Sequence, residues 1–140
     1  MQPNIFQLQN TGKAALYGYE LAINYAIVMD WKAGAQYSYL RRTNLSNKAL
    51  KFADAPEYKV LLFSGYQYKN RGSVMVSAEY NSSRYSTSYG TQAAGFALAN
   101  TRAQIKVYCA ISVGTGVNNI FDKNYTLVEG FSGSWQKLLY

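Results

Sequence analysis

Residues 14–27 read Ala14-Ala15-Leu16-Tyr17-Gly18-Tyr19-Glu20-Leu21-Ala22-Ile23-Asn24-Tyr25-Ala26-Ile27. One parity is Ala15, Tyr17, Tyr19, Leu21, Ile23, Tyr25 and Ile27, apolar or aromatic throughout. The other is Ala14, Leu16, Gly18, Glu20, Ala22, Asn24 and Ala26, dominated by small and polar residues. Side chains alternate between faces along a strand, so this stretch predicts a β-strand with one greasy face. Globular strands usually run to about five or six residues. A tilted strand crossing a bilayer needs roughly nine to eleven.

Outward from this strand the pattern repeats. Met29-Asp30-Trp31 is a short turn, and Lys32 to Arg41 returns with Ala33, Ala35, Tyr37 and Tyr39 opposing Gly34, Gln36 and Ser38. Arg42 to Pro56 breaks the alternation with loop residues, with room for a helical turn at Asn47 to Phe52. Glu57 to Tyr68 is strand-like with less distinct faces. Lys69-Asn70-Arg71-Gly72 is a polar turn, and Ser73 to Asn81 alternates cleanly. Ser82 to Ala94 is a second long polar loop. Gly95 to Tyr108 and Ile111 to Asn118 are joined by a short link near Cys109, and Asn119 to Ser134 is a third long connection. Connections thus alternate short and long, the asymmetry of membrane barrels with short periplasmic turns and long external loops. The predicted fold class is all-β: an antiparallel meander of about six to seven long strands, a partial transmembrane β-barrel.

Composition agrees. Of 140 residues, 49% are hydrophobic and only 15% charged, with 14 Tyr against 6 Phe and 2 Trp; an ordinary soluble domain is about 25% charged. The net charge of +7 is spread along the chain, with Arg41-Arg42 the one adjacent basic pair. A nucleic-acid binder clusters its cations on one face or helix, so no nucleic-acid partner is expected. A single cysteine excludes an internal disulfide. The absence of histidine removes the commonest metal ligand and general base, so neither a metal site nor catalysis nor a cofactor is expected. The longest apolar runs, Ala26 to Met29 and Val60 to Phe63, are too short for a membrane helix. Met1-Gln2-Pro3-Asn4 has neither the positive start nor the apolar core of a signal peptide, which suggests a lost N-terminus.

Several motifs, in order, resemble the C-terminal barrel of TonB-dependent outer-membrane receptors. Asn10-Thr11-Gly12-Lys13-Ala14 with Gly18-Tyr19-Glu20-Leu21 is similar to one family strand, followed by a strand ending Tyr37-Ser38-Tyr39-Leu40. Ala55-Pro56-Glu57-Tyr58-Lys59 resembles the entry to the next strand, and Arg84-Tyr85 follows the Tyr80 strand as in the family. The most specific piece, Gly116-Val117-Asn118-Asn119-Ile120-Phe121-Asp122-Lys123-Asn124-Tyr125, trailed by Glu129-Gly130-Phe131, resembles a signature near the barrel's end.

The resemblance implies that residues 1–140 are the C-terminal part of a barrel of roughly twenty-two strands, lodged in outer-membrane lipid. It implies as partners the remaining strands, a plug domain and the TonB complex, with plug and TonB-contacting segment preceding Met1. The transported nutrient would be an iron-siderophore, haem, cobalamin or glycan. The family closes with an alternating strand ending in an aromatic residue; here Ser132 to Tyr140 ends in Tyr140 but alternates poorly, so an altered end is expected.

On this reading Glu20, Asn24, Gln36, Glu79, Asn100, Arg102, Gln104 and Lys106 face the lumen or plug, with Glu79 and Arg102 in position to pair. Arg84, Tyr85 and Tyr89 are the candidates for ligand contact from an external loop. Asn118 to Asp122 is expected to be a structural strand end, because Asn and Asp cap turns through their own backbone bonds. Gly114-Thr115-Gly116 lacks the Lys-Ser/Thr of a phosphate loop. Such a segment is expected to be inactive alone, since some six strands leave two unpaired edges. Two other readings compete: a small complete outer-membrane barrel or adhesin, and a soluble β-domain binding carbohydrate or nucleic acid.

Overall fold

A computed structural model describes residues 12–53, 55–108, 111–128 and 131–132. In chain order the strands are β1 (Ala14–Val28), β2 (Trp31–Asn44), β3 (Tyr58–Tyr68), β4 (Gly72–Asn81), β5 (Arg84–Tyr85), β6 (Gln92–Ala93), β7 (Phe96–Tyr108), β8 (Ile111–Val117), β9 (Thr126–Val128) and β10 (Phe131–Ser132). The long strands form one six-stranded antiparallel sheet in the order β1-β2-β3-β4-β7-β8, so each pairs with its chain neighbour. Among the described residues there is no helix. No helix is long and apolar enough to cross a membrane, which says nothing of crossing by strands.

The length of these strands follows from their unbroken two-residue rhythm, rich in Tyr, Val and Ile, which suit a pleated surface. Strand β2 outruns its expected end at Arg41 and continues to Asn44, paired with Ala14. There the Asn44 side chain caps the turn by accepting from the backbone N–H groups of Ser46 (3.0 Å) and Asn47 (2.9 Å). The β3–β4 turn closes with Arg71 N donating to Tyr68 O at 3.0 Å, with Lys69 in the left-handed region at φ 45°.

Two expectations are refined. The segment Asn47 to Phe52 holds a single turn, Leu50 N to Asn47 O at 3.1 Å, and no helix. The connection Ser82 to Ala94 is not plain loop: β5 and β6 form a two-stranded ribbon within it, tied by Ser86 N to Thr91 O at 2.8 Å. A second small ribbon, β9 with β10, occupies part of the third connection. Cys109 and the candidate seventh strand beyond Ser132 lie outside the described residues.

Among the described residues the sheet has no second layer, and the buried hydrophobic residues are Ala93 in the β5–β6 ribbon and Phe96 at the start of β7, while Leu21, Ile23 and Tyr25 are 61%, 69% and 67% exposed. A water-soluble domain buries such residues. A lone sheet exposing a continuous apolar face needs an apolar medium against it.

Candidate functional site

Strand register assigns every side chain to a face. On one face Leu21 pairs with Tyr37, Tyr37 with Val60, Val60 with Tyr80 and Tyr80 with Ala97. Further along, Val76 pairs with Thr101, and Thr101 with Val117. Near the long connections this face carries a run of tyrosines: Tyr17, Tyr19, Tyr37, Tyr39 and Tyr58 sit with neighbouring ring centroids between 5.2 and 6.2 Å apart. Near the short turns it carries Tyr25, Trp31 and Tyr66, with Trp31 Nε1 donating to Ser64 Oγ at 2.8 Å. Two aromatic belts flanking aliphatic residues match the interface girdles of a membrane barrel.

The opposite face holds the polar set. Glu20 pairs with Ser38, Ala22 with Gln36, Asn24 with Gly34 and Gln36 with Leu61. Leu61 pairs with Glu79, and Ser77, Met75 and Ser73 pair with Asn100, Arg102 and Gln104. Lys106 follows opposite Ser112. The register therefore collects Glu20, Asn24, Gln36, Glu79, Asn100, Arg102, Gln104 and Lys106 on one face. The mixed character of β3 also has a cause: Phe63 lies on the polar side, its ring occupying the space above Gly34 beside Asn24.

Their local contacts differ. Glu20 accepts from Ser38 Oγ at 3.4 Å and lines a recess of about 400 Å³ with Gln36, Lys59 and Leu61. Glu79 stands 3.3 Å from Lys59 Nζ and accepts from Asn81 Nδ2 at 2.7 Å. The expected Glu79–Arg102 pair does not form: Glu79 faces Leu98 across the β4–β7 ladder, while Arg102 lies opposite Met75 and Gly116. Asn100 accepts from Asn119 N at 2.9 Å, so it fastens the end of β8. Asn119 itself, buried at φ 52°, closes a turn by donating from Nδ2 to Lys123 O and accepting from Lys123 N. The Asn118 to Asp122 motif is a strand-end turn. Lys106 Nζ donates to Asn70 Oδ1 at 3.5 Å, at the short-turn end.

At the other end the long connections meet. Lys51 N donates to Ser88 O at 2.9 Å, and Lys51 Nζ lies 5.9 Å from the centre of the Tyr85 ring. Arg42 Nη2 donates to Ala55 O at 3.1 Å and to Phe52 O at 3.4 Å, bracing the first long connection. Between them lies a pocket of about 490 Å³ whose lining includes Arg41, Arg42, Lys48, Lys51, Glu57 and Tyr85. Cations dominate its charge. The loop candidates part company here: Tyr85 lines this pocket, Tyr89 projects 91% exposed from the ribbon tip, and Arg84 is buried beneath it over the Phe96 ring. Sequence reading missed Arg41, Arg42, Lys48 and Lys51 as a group. The signal was present in the one adjacent basic pair followed by two lysines within the same loop. Among the described residues no cluster of His, Cys, Asp and Glu could hold a metal.

The family model described as "TonB dependent receptor-like, beta-barrel" matches residues 1–120. The chain belongs to the TonB-dependent receptor β-barrel family. Three solved receptors show the same fold. The ferric-catecholate import receptor Fiu of E. coli K12, in its open form, has TM-score 0.68 and 22% identity over 91% of this chain and 19% of its own. The siderophore receptor PiuA of Acinetobacter baumannii has TM-score 0.70 and 17% identity over 90% and 20%. The copper transporter OprC has TM-score 0.71 and 22% identity over 91% and 22%. This chain thus spans about a fifth of the length of the solved receptors it matches. Among curated protein sequences, none matches it.

TonB-dependent receptors are outer-membrane β-barrel proteins of Gram-negative bacteria, and the family is one of transport receptors. In outer-membrane barrels short turns are periplasmic, long connections are external, and the apolar face is turned to lipid.

Proposed function

We propose that this chain is the C-terminal part of the barrel wall in a receptor that imports a scarce nutrient, its polar face turned to the lumen. One observation carries the reading: a single register collects Glu20, Asn24, Gln36, Glu79, Asn100, Arg102, Gln104 and Lys106 on one face and the tyrosine run on the other, with Leu61, Phe63 and Met75 as apolar residues among the polar set. Plug domain and water are the groups those side chains would meet, with the plug and the TonB complex as partners. The nutrient classes that fit are iron-siderophore, haem, cobalamin and glycan; siderophore and copper receptors are among the similar structures. The cationic pocket beside Tyr85, with exposed Tyr89 at the ribbon tip, suits an anionic chelate entering from outside. Transport through such a wall makes and breaks no covalent bond, which fits a family of transport receptors and assigns no enzymatic activity here. Among the described residues β1 and β8 are the edges of the sheet, and their free backbone groups suit pairing with further strands of a barrel.

Paired cysteine labelling tests the facing. With Cys109 replaced by Ser, Gln36→Cys and Ala35→Cys are each exposed to a membrane-impermeant maleimide in outer membranes opened to the periplasm. Labelling of Gln36→Cys with protection of Ala35→Cys is expected. The reverse pattern overturns the proposal.

A further inference from the structure

On the lipid face, at the periplasmic end, a groove of about 540 Å³ crosses from β3 to β8. That volume lies within the roughly 300–1,000 Å³ of small-molecule sites. Tyr66 and Tyr68 form one wall, and Ile105 and Val113 the other. The floor is low because Gly72 and Ala103, between them, carry almost no side chain. The walls are exposed: Tyr66 is 46%, Tyr68 53%, Ile105 57% and Val113 55% accessible. Arg71 lines the groove where it reaches the turn. Beside it Lys69 Nζ lies 5.7 Å from the centre of the Tyr68 ring, at the wall's upper edge. Among the described residues neither Lys69 nor Arg71 has a carboxylate within salt-bridge distance; Asp30, in the neighbouring turn, contacts this region through its backbone oxygen to Gln67 N.

An apolar slot at the turn end of this face, bordered by a tyrosine and by two cations with no carboxylate within salt-bridge distance among the described residues, matches one ligand chemistry. We propose that the groove holds an acyl chain of an anionic glycerophospholipid of the periplasmic leaflet, with its phosphate between Lys69 and Arg71. The acyl chain fills the volume that Gly72 and Ala103 leave empty. The two cations supply selectivity, since each basic residue at an anionic headgroup layer contributes about fivefold in affinity. The proposal rests on the facing proposed above and not on which nutrient is carried, so a failed uptake assay leaves it standing.

Trp31, the register partner of Tyr66, reports on the groove. The full chain, with Trp135→Phe leaving Trp31 as fluorophore, is folded into phosphatidylcholine bilayers containing doxyl-labelled phosphatidylglycerol or doxyl-labelled phosphatidylcholine. Phosphatidylglycerol is expected to quench at a mole fraction at least about fivefold lower. Lys69→Gln with Arg71→Gln removes that preference, and Ala103→Phe, which fills the floor, weakens quenching by the labelled phosphatidylglycerol. Equal quenching by both lipids, or a preference that survives the double substitution, overturns the proposal. Native mass spectrometry of the unsubstituted chain extracted from outer membranes with a mild detergent gives a second reading that needs no variant. Retained phosphatidylglycerol or cardiolipin supports the site, and zwitterionic lipid only, or none, overturns it.

Discussion

The Arg84 guanidinium lies over the Phe96 ring, 5.2 Å from its centre, and Phe96 stacks in turn on Tyr125 at 4.4 Å. This column fastens the β5–β6 ribbon to the start of β7 and to the chain beyond β8. Arg84 is 8% exposed, yet among the described residues its Nε and Nη2 have no hydrogen-bond partner. A buried cation with idle donors is costly, whereas a buried aromatic packs favourably. In this chain Arg84→Met is expected to leave unfolding stability within about 1 kcal/mol of the parent, or to raise it. Phe96→Ala, which removes the centre of the column, is expected to cost about 3 kcal/mol. Urea titration of the chain folded in lipid vesicles measures both. A loss above about 3 kcal/mol for Arg84→Met would mean that its donors do have an acceptor in the folded protein.

Ile23 and Asn24 are consecutive and point to opposite faces, Ile23 paired with Ala35 and Asn24 with Gly34. Ile23→Arg places a charge against hydrocarbon and is expected to cost about 2–4 kcal/mol if it lies near the midplane. Asn24→Arg faces the aqueous side and is expected to cost less than about 1 kcal/mol. Comparing the folding free energies of the two variants in bilayers checks this. Equal penalties would contradict the facing.

Glycines at two positions differ in what surrounds them. A methyl group on Gly18 would strike the backbone oxygen of Tyr39 and approach Leu40 Cα at 3.2 Å. A methyl on Gly34 would strike the Phe63 ring tip and the Asn24 side-chain oxygen, both of which can swing aside. Gly18→Ala is therefore expected to destabilise by about 1–3 kcal/mol, and Gly34→Ala by less. Thermal unfolding monitored by heat-modifiable gel migration ranks them.

The Lys59–Glu79 pair is half open to solvent, its side chains 49% and 28% exposed. A double-mutant cycle of Lys59→Met and Glu79→Gln is expected to give a coupling of about 0.2–1 kcal/mol that shrinks with added salt. The same cycle between Glu79 and Arg102 is expected to give none, because the ladder holds them at different levels of the sheet. A larger Glu79–Arg102 coupling would show that the two approach in the membrane-embedded receptor.

The six long strands and their order were legible from the amino acids, with the faces of β1, β2, β4 and β7, because a period of two allows a single assignment once one face is greasy; the faces of β3 and the short ribbons β5–β6 and β9–β10 were not. Strand β1 shows this: Tyr19, Leu21 and Ile23 name the lipid side before any neighbour is known. The candidate site was legible in part. Glu20, Asn24 and Gln36 could be placed from parity, and the Asn118 to Asp122 turn from its own capping residues. The partner of Glu79 could not, since whether Lys59 or Arg102 approaches it depends on the stagger between strands, and alternation is blind to a shift of two.

What the chain's order of residues determined by itself is therefore local and periodic: extended backbone, two unlike faces, and turns where Asn, Gly and Lys interrupt them. What the tertiary structure decided is which distant groups meet. The burial of Arg84 against Phe96, the gathering of Arg41, Arg42, Lys48 and Lys51 around Tyr85, and the groove over Gly72 and Ala103 all arise where separate connections or strands come together. Those contacts depend on register and loop packing, which are set by the sum of many weak interactions across the sheet and are written in no single stretch of sequence.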